Sequence, residues 1–328
     1  MINGYGKIKL LTGTTHPVLA ERVAKNLDIE LVNTTIEKFA NGELYACVNE
    51  NVRGQDVFYL SSLHTQSSSN AILETQLLID CIRSSAGRIT GVFPWLCFSK
   101  QDRRTKPRET RSLLVIAKTL SNCGLDRVIL FDLHNKATAD FFDIPNDHVY
   151  LMRLLIEEFD RRNPQNAVIV SPDIGSGKRA SAVAQLTGRT DIAIVWKIHD
   201  PKTKKLDLSK TRILGDVKNK EAWIFDDMIQ SFGTLEAAIE ILHKAGAKKI
   251  IIAAVHPDFT PELPGKESAI RRIAKSKADE VIVVNTIPHK HFAEWPTKIT
   301  TLDAAPFIAD CINFLHEDKP LSPLFLQF

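Results

Sequence analysis

In open α/β sheets, ligands bind beyond the carboxyl ends of strands, where loops enter helices. Four such ends in this 328-residue chain carry residues able to do chemistry. The richest is Ala222–Thr234, AWIFDDMIQSFGT, in which an apolar strand runs into the adjacent carboxylates Asp226 and Asp227. A short loop, Gly233 and a helix opening at Thr234 follow. Loop amides and a helix N-terminus offer free N–H donors that suit a phosphate. Glycine lets the backbone approach the anion closely, while Ser231 and Thr234 add hydroxyl donors. Two acids beside that anion site would accept the hydroxyls of a sugar. The plainer alternative is an Asp–Asp turn with a threonine cap.

Asp132-Leu133-His134 closes the strand Arg127–Phe131, where an Asp/His pair is either a satisfied strand terminus or a ligand site. Ser171–Arg179, SPDIGSGKR, follows the strand Ala167–Val170. Its Gly-Ser-Gly-Lys is not a P-loop, because that pattern requires Gly where Pro172 stands and Ser or Thr where Arg179 stands. An acid at a strand end and a basic helix start remain. If they face one cleft, Asp173 and His134 could bind Mg²⁺, directly or through its waters, alongside substrate phosphates. The fourth segment, Lys100–Arg111, sets Lys100, Arg103, Arg104, Lys106, Arg108 and Arg111 against only Asp102 and Glu109. A charge run is usually a solvated face, but this one follows the apolar Val92–Phe98 directly, where a polyphosphate could sit. Trp95, Cys97 and Trp196 read as core.

The elements that must position these residues are βα units. Short apolar runs at Ile8–Leu11, Val57–Leu60, Ile89–Phe93, Arg127–Phe131, Ala167–Val170, Ile192–Trp196, Ala222–Phe225, Ile250–Val255 and Glu280–Val284 lack period-2 alternation, as strands buried on both faces do. Between them, Asn70–Ser84 and Thr234–Ala245 repeat apolar residues at helical spacing. The pattern predicts α/β architecture with two doubly wound parallel-sheet domains, 1–150 and 151–328, and a cleft between them. The turn-rich Asp143–Asp147 marks the boundary near Tyr150. A net charge of +3 gives no global reason to expect a nucleic acid. The longest nearly apolar stretch, Gly91–Phe98, is far short of the ~20 residues that cross a bilayer, so no membrane partner is expected. Met1–Leu11 shows no signal-peptide pattern, and five scattered cysteines read as reduced thiols of a cytoplasmic protein.

Together these segments resemble, in order and along nearly the whole chain, the signature set of the ribose-phosphate pyrophosphokinase (phosphoribosyl pyrophosphate synthetase) family. The resemblance begins with Phe39-Ala40-Asn41-Gly42-Glu43 and Val52-Arg53-Gly54. It continues through Lys100-Gln101-Asp102, Asp132-Leu133-His134, Phe141-Phe142-Asp143-Ile144-Pro145 and Ser171-Pro172-Asp173. It ends with Gly215-Asp216-Val217-Lys218, Asp226-Asp227-Met228-Ile229 and Asn285-Thr286-Ile287-Pro288. It implies a type I phosphoribosyltransferase-like fold, with an N-terminal ATP-side and assembly domain and a C-terminal tail packing back on it. The implied reaction moves the β,γ-diphosphoryl group of MgATP to the anomeric hydroxyl of ribose 5-phosphate, giving AMP and phosphoribosyl pyrophosphate. By the same resemblance, Phe39, Asn41, Gly42 and Glu43 would reach ATP held in a neighbouring subunit of a homo-oligomer, dimer to hexamer. Lys100 and Gln101 would lie along the nucleotide. His134 with Asp132 and Asp173 would handle Mg²⁺, and Asp226 and Asp227 would hold the ribose hydroxyls. Ser231, Phe232, Gly233 and Thr234 would wrap the 5-phosphate, and Lys197 matches a mobile-loop lysine that stabilises the moving diphosphoryl group.

The chain departs from the family pattern in three places. After the acid pair the family reads Asp-Thr-Gly-or-Cys-Gly-Thr, whereas this chain has Gln230-Ser231-Phe232-Gly233-Thr234. Gln230 removes a carboxylate from the ribose site, and a Cβ at Phe232 is expected to force a different loop path. His199 stands where a second cation, almost always arginine, follows Lys197; a neutral imidazole has no fork for phosphate. The family's Thr-His-Gly turn is here His256-Pro257-Asp258, inside an enlarged loop Pro257–Lys266. These changes keep open a catalytically weak or inactive regulatory paralogue, and the shared strand, acidic pair and phosphate loop keep open a base phosphoribosyltransferase. The family's phosphate-activation site would draw on Arg53, Arg108 and Ser322–Phe325, where Pro323 replaces an aromatic residue, so weakened activation is expected.

Overall fold

The computed structural model describes residues 4–64, 68–198, 211–289 and 295–324. They form two compact units: residues through Leu151 with Asn285–Pro288 and those from Asp303 onward, and Met152–Val284 with His289–Leu302. In chain order the first unit runs β1 (Ile8–Thr12), α1 (Pro17–Asn26), β2 (Thr34–Lys38), β3 (Leu44–Val48), β4 (Asp56–Leu60), α2 (Ser68–Ile82), β5 (Arg88–Phe93), α3 (Ser112–Ser121), β6 (Arg127–Phe131) and β7 (Asn146–Val149). Five parallel strands stand in the order β1-β4-β5-β6-β7, and a parallel bridge from Leu31 covers the other side of β1 at Leu10. The sheet therefore changes its direction of winding between β1 and β4. β2 and β3 form a separate antiparallel hairpin.

Burial explains the composition of these strands. All five residues of β4 are buried, so both of its faces are covered and a continuous apolar run is required. Gly91 on β5 has no room for a side chain, because a Cβ would lie 2.6 Å from the Phe93 ring. Asp56, fully buried at the start of β4, accepts a fork from Arg88 at 2.9 and 2.6 Å and pairs with His316 at 2.8 Å. Removing one partner of such a buried pair costs about 3–5 kcal/mol.

The second unit runs α4 (Met152–Arg162), β8 (Ala167–Ser171), α5 (Gly177–Leu186), β9 (Ile192–Trp196), β10 (Arg212–Leu214), β11 (Glu221–Met228), α6 (Gly233–Lys244), β12 (Lys249–His256), α7 (Ala269–Lys275), β13 (Glu280–Val284) and β14 (Ile299–Leu302); α8 (Ala305–His316) groups with the first unit. Its strand order is β10-β9-β8-β11-β12-β13-β14, parallel except for β10. The chain winds outward from β8 through β9, then returns to the opposite side at β11. The β8–β11 ladder ends at Trp223↔Ile169, while β11 stays paired with β12 as far as Met228↔His256. Beyond Trp223 the two central strands are no longer paired, which is where a doubly wound sheet opens its crevice.

Both sheets are the doubly wound parallel sheets expected from the apolar runs. Four differences have physical reasons. The hairpin β2–β3, β7, β10 and β14 carry too few buried apolar residues to register as runs. Part of the turn-rich Asp143–Asp147 lies in β7, an edge strand of polar residues held to β6 by Arg127–Asp147 at 2.5 Å. The chain also crosses between units more often than a single boundary near Tyr150 implies, since Asn285–Pro288 and α8 group with the first unit. Trp95 and Cys97 are buried, but Trp196, at the end of β9 beside the short edge strand β10, is exposed.

Candidate active site

The acid pair is the last part of β11 itself, not the loop after it. Asp227 is buried and Asp226 partly so. Asp227 N donates to Asp226 Oδ1 at 3.0 Å, which fixes the two carboxylates relative to one another. Arg179, in the first turn of α5, reaches both: it is hydrogen-bonded to Asp226 and lies 2.8 Å from Asp227 Oδ1. Burial pushes the Asp226 carboxyl up to about 7; the Arg179 charge opposes this and the neighbouring Asp227 reinforces it. The two acids hold the Arg179 guanidinium above its ordinary value against the cost of its own burial.

The loop from β11 into α6 follows directly. Phe232 sits at φ 64° and ψ −6°, the left-handed conformation that glycine adopts at no cost. Its ring is only 3% exposed, in the core cluster that includes Ile229, Leu235, Phe259 and Ile273. The left-handed backbone costs about 1–2 kcal/mol, and burying a phenylalanine returns about 1.5–3 kcal/mol, so the ring stabilises a turn that glycine would otherwise make. The different loop path expected from a Cβ at this position is thus not what occurs: the backbone keeps the glycine-type turn and the ring is in the core. Arg272 of α7 donates to the Ser231 carbonyl at 3.0 Å and is ion-paired with Glu236. Its guanidinium lies 3.3 Å from where a Cβ on Gly233 would stand, so a larger residue there would make the Arg272 side chain give by a few tenths of an ångström.

Lys197, just past β9, donates to the Thr234 carbonyl at 2.6 Å. Burial lowers the Lys197 ammonium, and the charges of Asp173 and Asp226 pull it back up. One cation therefore sits on the loop between two sets of carboxylates. Asp173 is shaped by its own turn: Oδ1 accepts from Ser176 N at 2.9 Å and Ser176 Oγ at 3.0 Å.

The remaining sequence-predicted residues belong to the first unit. Asp132 is buried with a positive φ, and its Oδ2 accepts from Leu151 N at 2.5 Å. Leu133 N donates to His148 Nε2 at 2.9 Å, and burial lowers His148 to about 4, keeping it a neutral acceptor. Next to His134, Asn135 donates to Asp102 at 2.9 Å and ties the cationic loop to this strand end. Lys100 is exposed, and Gln101 accepts from Ser112 Oγ at 2.7 Å. Phe39, Asn41, Gly42 and Glu43 make the tip of the β2–β3 hairpin, closed by Phe39 N to Glu43 O at 2.8 Å and Asn41 Nδ2 to Glu43 Oε2 at 2.9 Å. Among the described residues no three His, Cys, Asp or Glu side chains converge as a metal site. His199 and Phe325 lie outside the described residues.

Sequence reasoning missed three residues that shape the site: Arg179, Asp258 and Arg272. Arg179 was visible only as part of a basic helix start, and nothing in its spacing from Asp226 announces the pairing. Asp258 and Arg272 come from the chain after β12, and only the sheet brings them to the loop.

Paired acids, a glycine-type loop and a helix N-terminus at a switch point define a doubly wound α/β protein of the kind that holds small anionic ligands beyond its strand ends. Comparison with known proteins narrows the class. The N-terminal domain of ribose phosphate pyrophosphokinase matches residues 8–124, and the phosphoribosyl synthetase-associated domain matches residues 194–326. Ribose-phosphate pyrophosphokinase of Buchnera aphidicola subsp. Schizaphis graminum is 38% identical over 97% of this chain and 98% of its own length. The Haemophilus ducreyi protein of the same name is 37% identical over 97% and 98%. The crystal structure of phosphoribosylpyrophosphate synthetase from Mycobacterium smegmatis superposes with a TM-score of 0.85 at 35% identity, covering 95% of this chain and all of that one. The chain belongs to the ribose-phosphate pyrophosphokinase family. Neither the inactive paralogue nor the base phosphoribosyltransferase finds support in these matches.

Proposed function

We propose that this protein transfers the diphosphoryl group of MgATP to the anomeric hydroxyl of ribose 5-phosphate, giving phosphoribosyl pyrophosphate and AMP. The observation that carries the reading is the acid pair at the parting of β8 and β11, gripped by Arg179 and followed by a tight loop on which Lys197 rests. The relatives' shared name supports it further.

Asp226 and Asp227 would accept the ribose hydroxyls, and Arg179 keeps them aligned and biased toward the charged form before the sugar arrives. The amides and hydroxyls of Ser231, Phe232, Gly233 and Thr234 would hold the 5-phosphate at the start of α6. The anomeric oxygen attacks the β-phosphorus of ATP, the bond from that phosphorus to the α-phosphate oxygen breaks, and AMP leaves. Such a transfer needs positioning and charge neutralisation more than a protein nucleophile. Lys197 would supply that charge by leaving the Thr234 carbonyl for the moving diphosphoryl group. Magnesium is ordinarily held by one or two carboxylates plus substrate phosphates, and Asp173, engaged through Oδ1, fits such a role with its second oxygen. When bound, the ion would neutralise phosphate charge. At its own strand end, Asp132, committed to the Leu151 amide, would position His134 for a role toward magnesium.

Lys100 and Gln101 would lie along ATP, and the hairpin tip Phe39–Glu43 would reach the nucleotide of a second subunit. The half-exposed Phe39 and Tyr45, with rings 6.0 Å apart, support a homo-oligomer. Five cysteines present as thiols support a cytoplasmic location, and among the described residues no helix is long and apolar enough to cross a membrane. The test is AMP formation from ATP, Mg²⁺ and ribose 5-phosphate: turnover well above a Lys197→Ala control is expected, and none above it would reject the reading.

A further inference from the structure

Gln230 stands where the family pattern has a third acid after the pair, and it has not become a bystander. Its Nε2 donates to Asp258 Oδ2 at 2.6 Å, and Asp258 is buried. A carboxylate only accepts, so the NH₂ end of the amide must face Asp258 and Oε1 must face away from it. The backbone is joined at the same place: Thr260 N donates to the Gln230 carbonyl at 3.2 Å, and Ile229 N donates to the His256 carbonyl at 2.9 Å. Asp258 belongs to the turn His256-Pro257-Asp258, which itself departs from the family's Thr-His-Gly. The two departures are therefore partners in one hydrogen bond.

We infer that Gln230 and Asp258 form a single acceptor unit in the pentose subsite. Gln230 Oε1 takes the hydroxyl hydrogen bond that the missing carboxylate would take, and Asp258 is a positioning residue that fixes the amide in that orientation. This rests on the ribose 5-phosphate reading above. The unit keeps its negative charge but moves it one hydrogen bond away from the sugar. A charge-assisted bond at one end of an amide also polarises the oxygen at the other.

Steady-state AMP formation by the full-length protein tests this. In Asp258→Asn the new amide can present either end, so Gln230 loses its enforced orientation. KM for ribose 5-phosphate should rise about tenfold, while KM for ATP, kcat and the thermal midpoint stay near wild type. Gln230→Asp alone sets two carboxylates against each other and should raise the same KM at least as far. The exchange Gln230→Asp with Asp258→Asn again faces a donor toward a carboxylate and should return KM toward wild type. Gln230→Met, which removes the acceptor without adding charge, should reproduce the Asp258→Asn effect if that variant folds poorly. Equal changes in both KM values and the thermal midpoint would mean a merely structural pair and overturn the inference, as would a Gln230→Asp variant with unchanged KM. A wild-type protein that makes no AMP would overturn the functional reading and the acceptor unit with it. An active wild type with an indifferent Asp258→Asn would overturn the unit alone.

Discussion

The chain contains two doubly wound sheets, and their switch points have met opposite fates. In the first unit, between β1 and β4, polar groups of the described residues bond to one another. Glu74 accepts from Thr14 N and Thr14 Oγ1, both at 2.6 Å. Gly13 lies so close that a Cβ would fall 1.8 Å from Glu74 Oε1. Thr15 Oγ1 and Ser61 Oγ lie 3.0 Å apart, while His16 Nε2 and Ser62 Oγ bond the carbonyls of Asn285 and Thr286 at 2.9 and 2.6 Å. The segment Asn285–Pro288 fills this strand end. In the second unit, between β8 and β11, the strand end carries Asp226, Asp227, Arg179 and Lys197, with Arg179 paired to both acids and Lys197 held by the charges of Asp173 and Asp226. Topology offers a crevice in both places; side chains decide whether the chain or a ligand occupies it.

If this contrast is right, substitutions at the two places must fail in different ways. The largest effect falls on Lys197→Ala, which should lower kcat by about 10²–10³ with the fold intact, as loss of one charged donor to a developing anion does. Thermal unfolding and single-turnover AMP release would separate the two. A variant within a few-fold of wild type would remove Lys197 from the chemistry.

Arg179→Gln comes next and acts through pH. Asp226 titrates at about 7, so KM for ribose 5-phosphate should fall as pH rises through that value and the carboxylate ionises. Without the Arg179 charge the carboxyl rises further, and the KM profile should move to higher pH. Because the folded-state value lies above the ordinary one, the folded form binds the extra proton. This group's contribution to stability is therefore present at acid pH and lost between about 4 and 7. A KM profile that does not move on substitution would show that Arg179 does not govern the pair.

The smallest effect on turnover belongs to the first unit. Glu74→Ala leaves Thr14 N and its hydroxyl without their acceptor and should cost about 2–3 kcal/mol in urea unfolding, yet turnover per folded molecule should not change. Lost activity without lost stability would mean that the filled switch point also serves catalysis.

The strands that build both crevices were legible because they are buried on two faces. Val57–Leu60 and Ile250–Val255 can only be apolar runs, and they appear as β4 and β12. The acid pair and its loop were legible too, since an apolar strand that ends in two carboxylates is chemically conspicuous. The edge strand β7, NDHV, was not, because a strand paired on one side needs no hydrophobic run. Nor was the fate of Phe232. A large residue in a phosphate-type loop reads as an obstruction until backbone geometry shows the ring in the core. Arg179 and Asp258 were hidden because their partners are 47 and 28 residues away, a separation that only the sheet closes.

The most direct measurement is AMP release from MgATP with and without ribose 5-phosphate, for wild type, Asp227→Asn and Glu74→Ala side by side. The account predicts release that depends on the sugar phosphate, falls steeply in Asp227→Asn, and persists per folded molecule in Glu74→Ala. Release that ignores ribose 5-phosphate, or that survives loss of the Asp227 carboxylate undiminished, would contradict it.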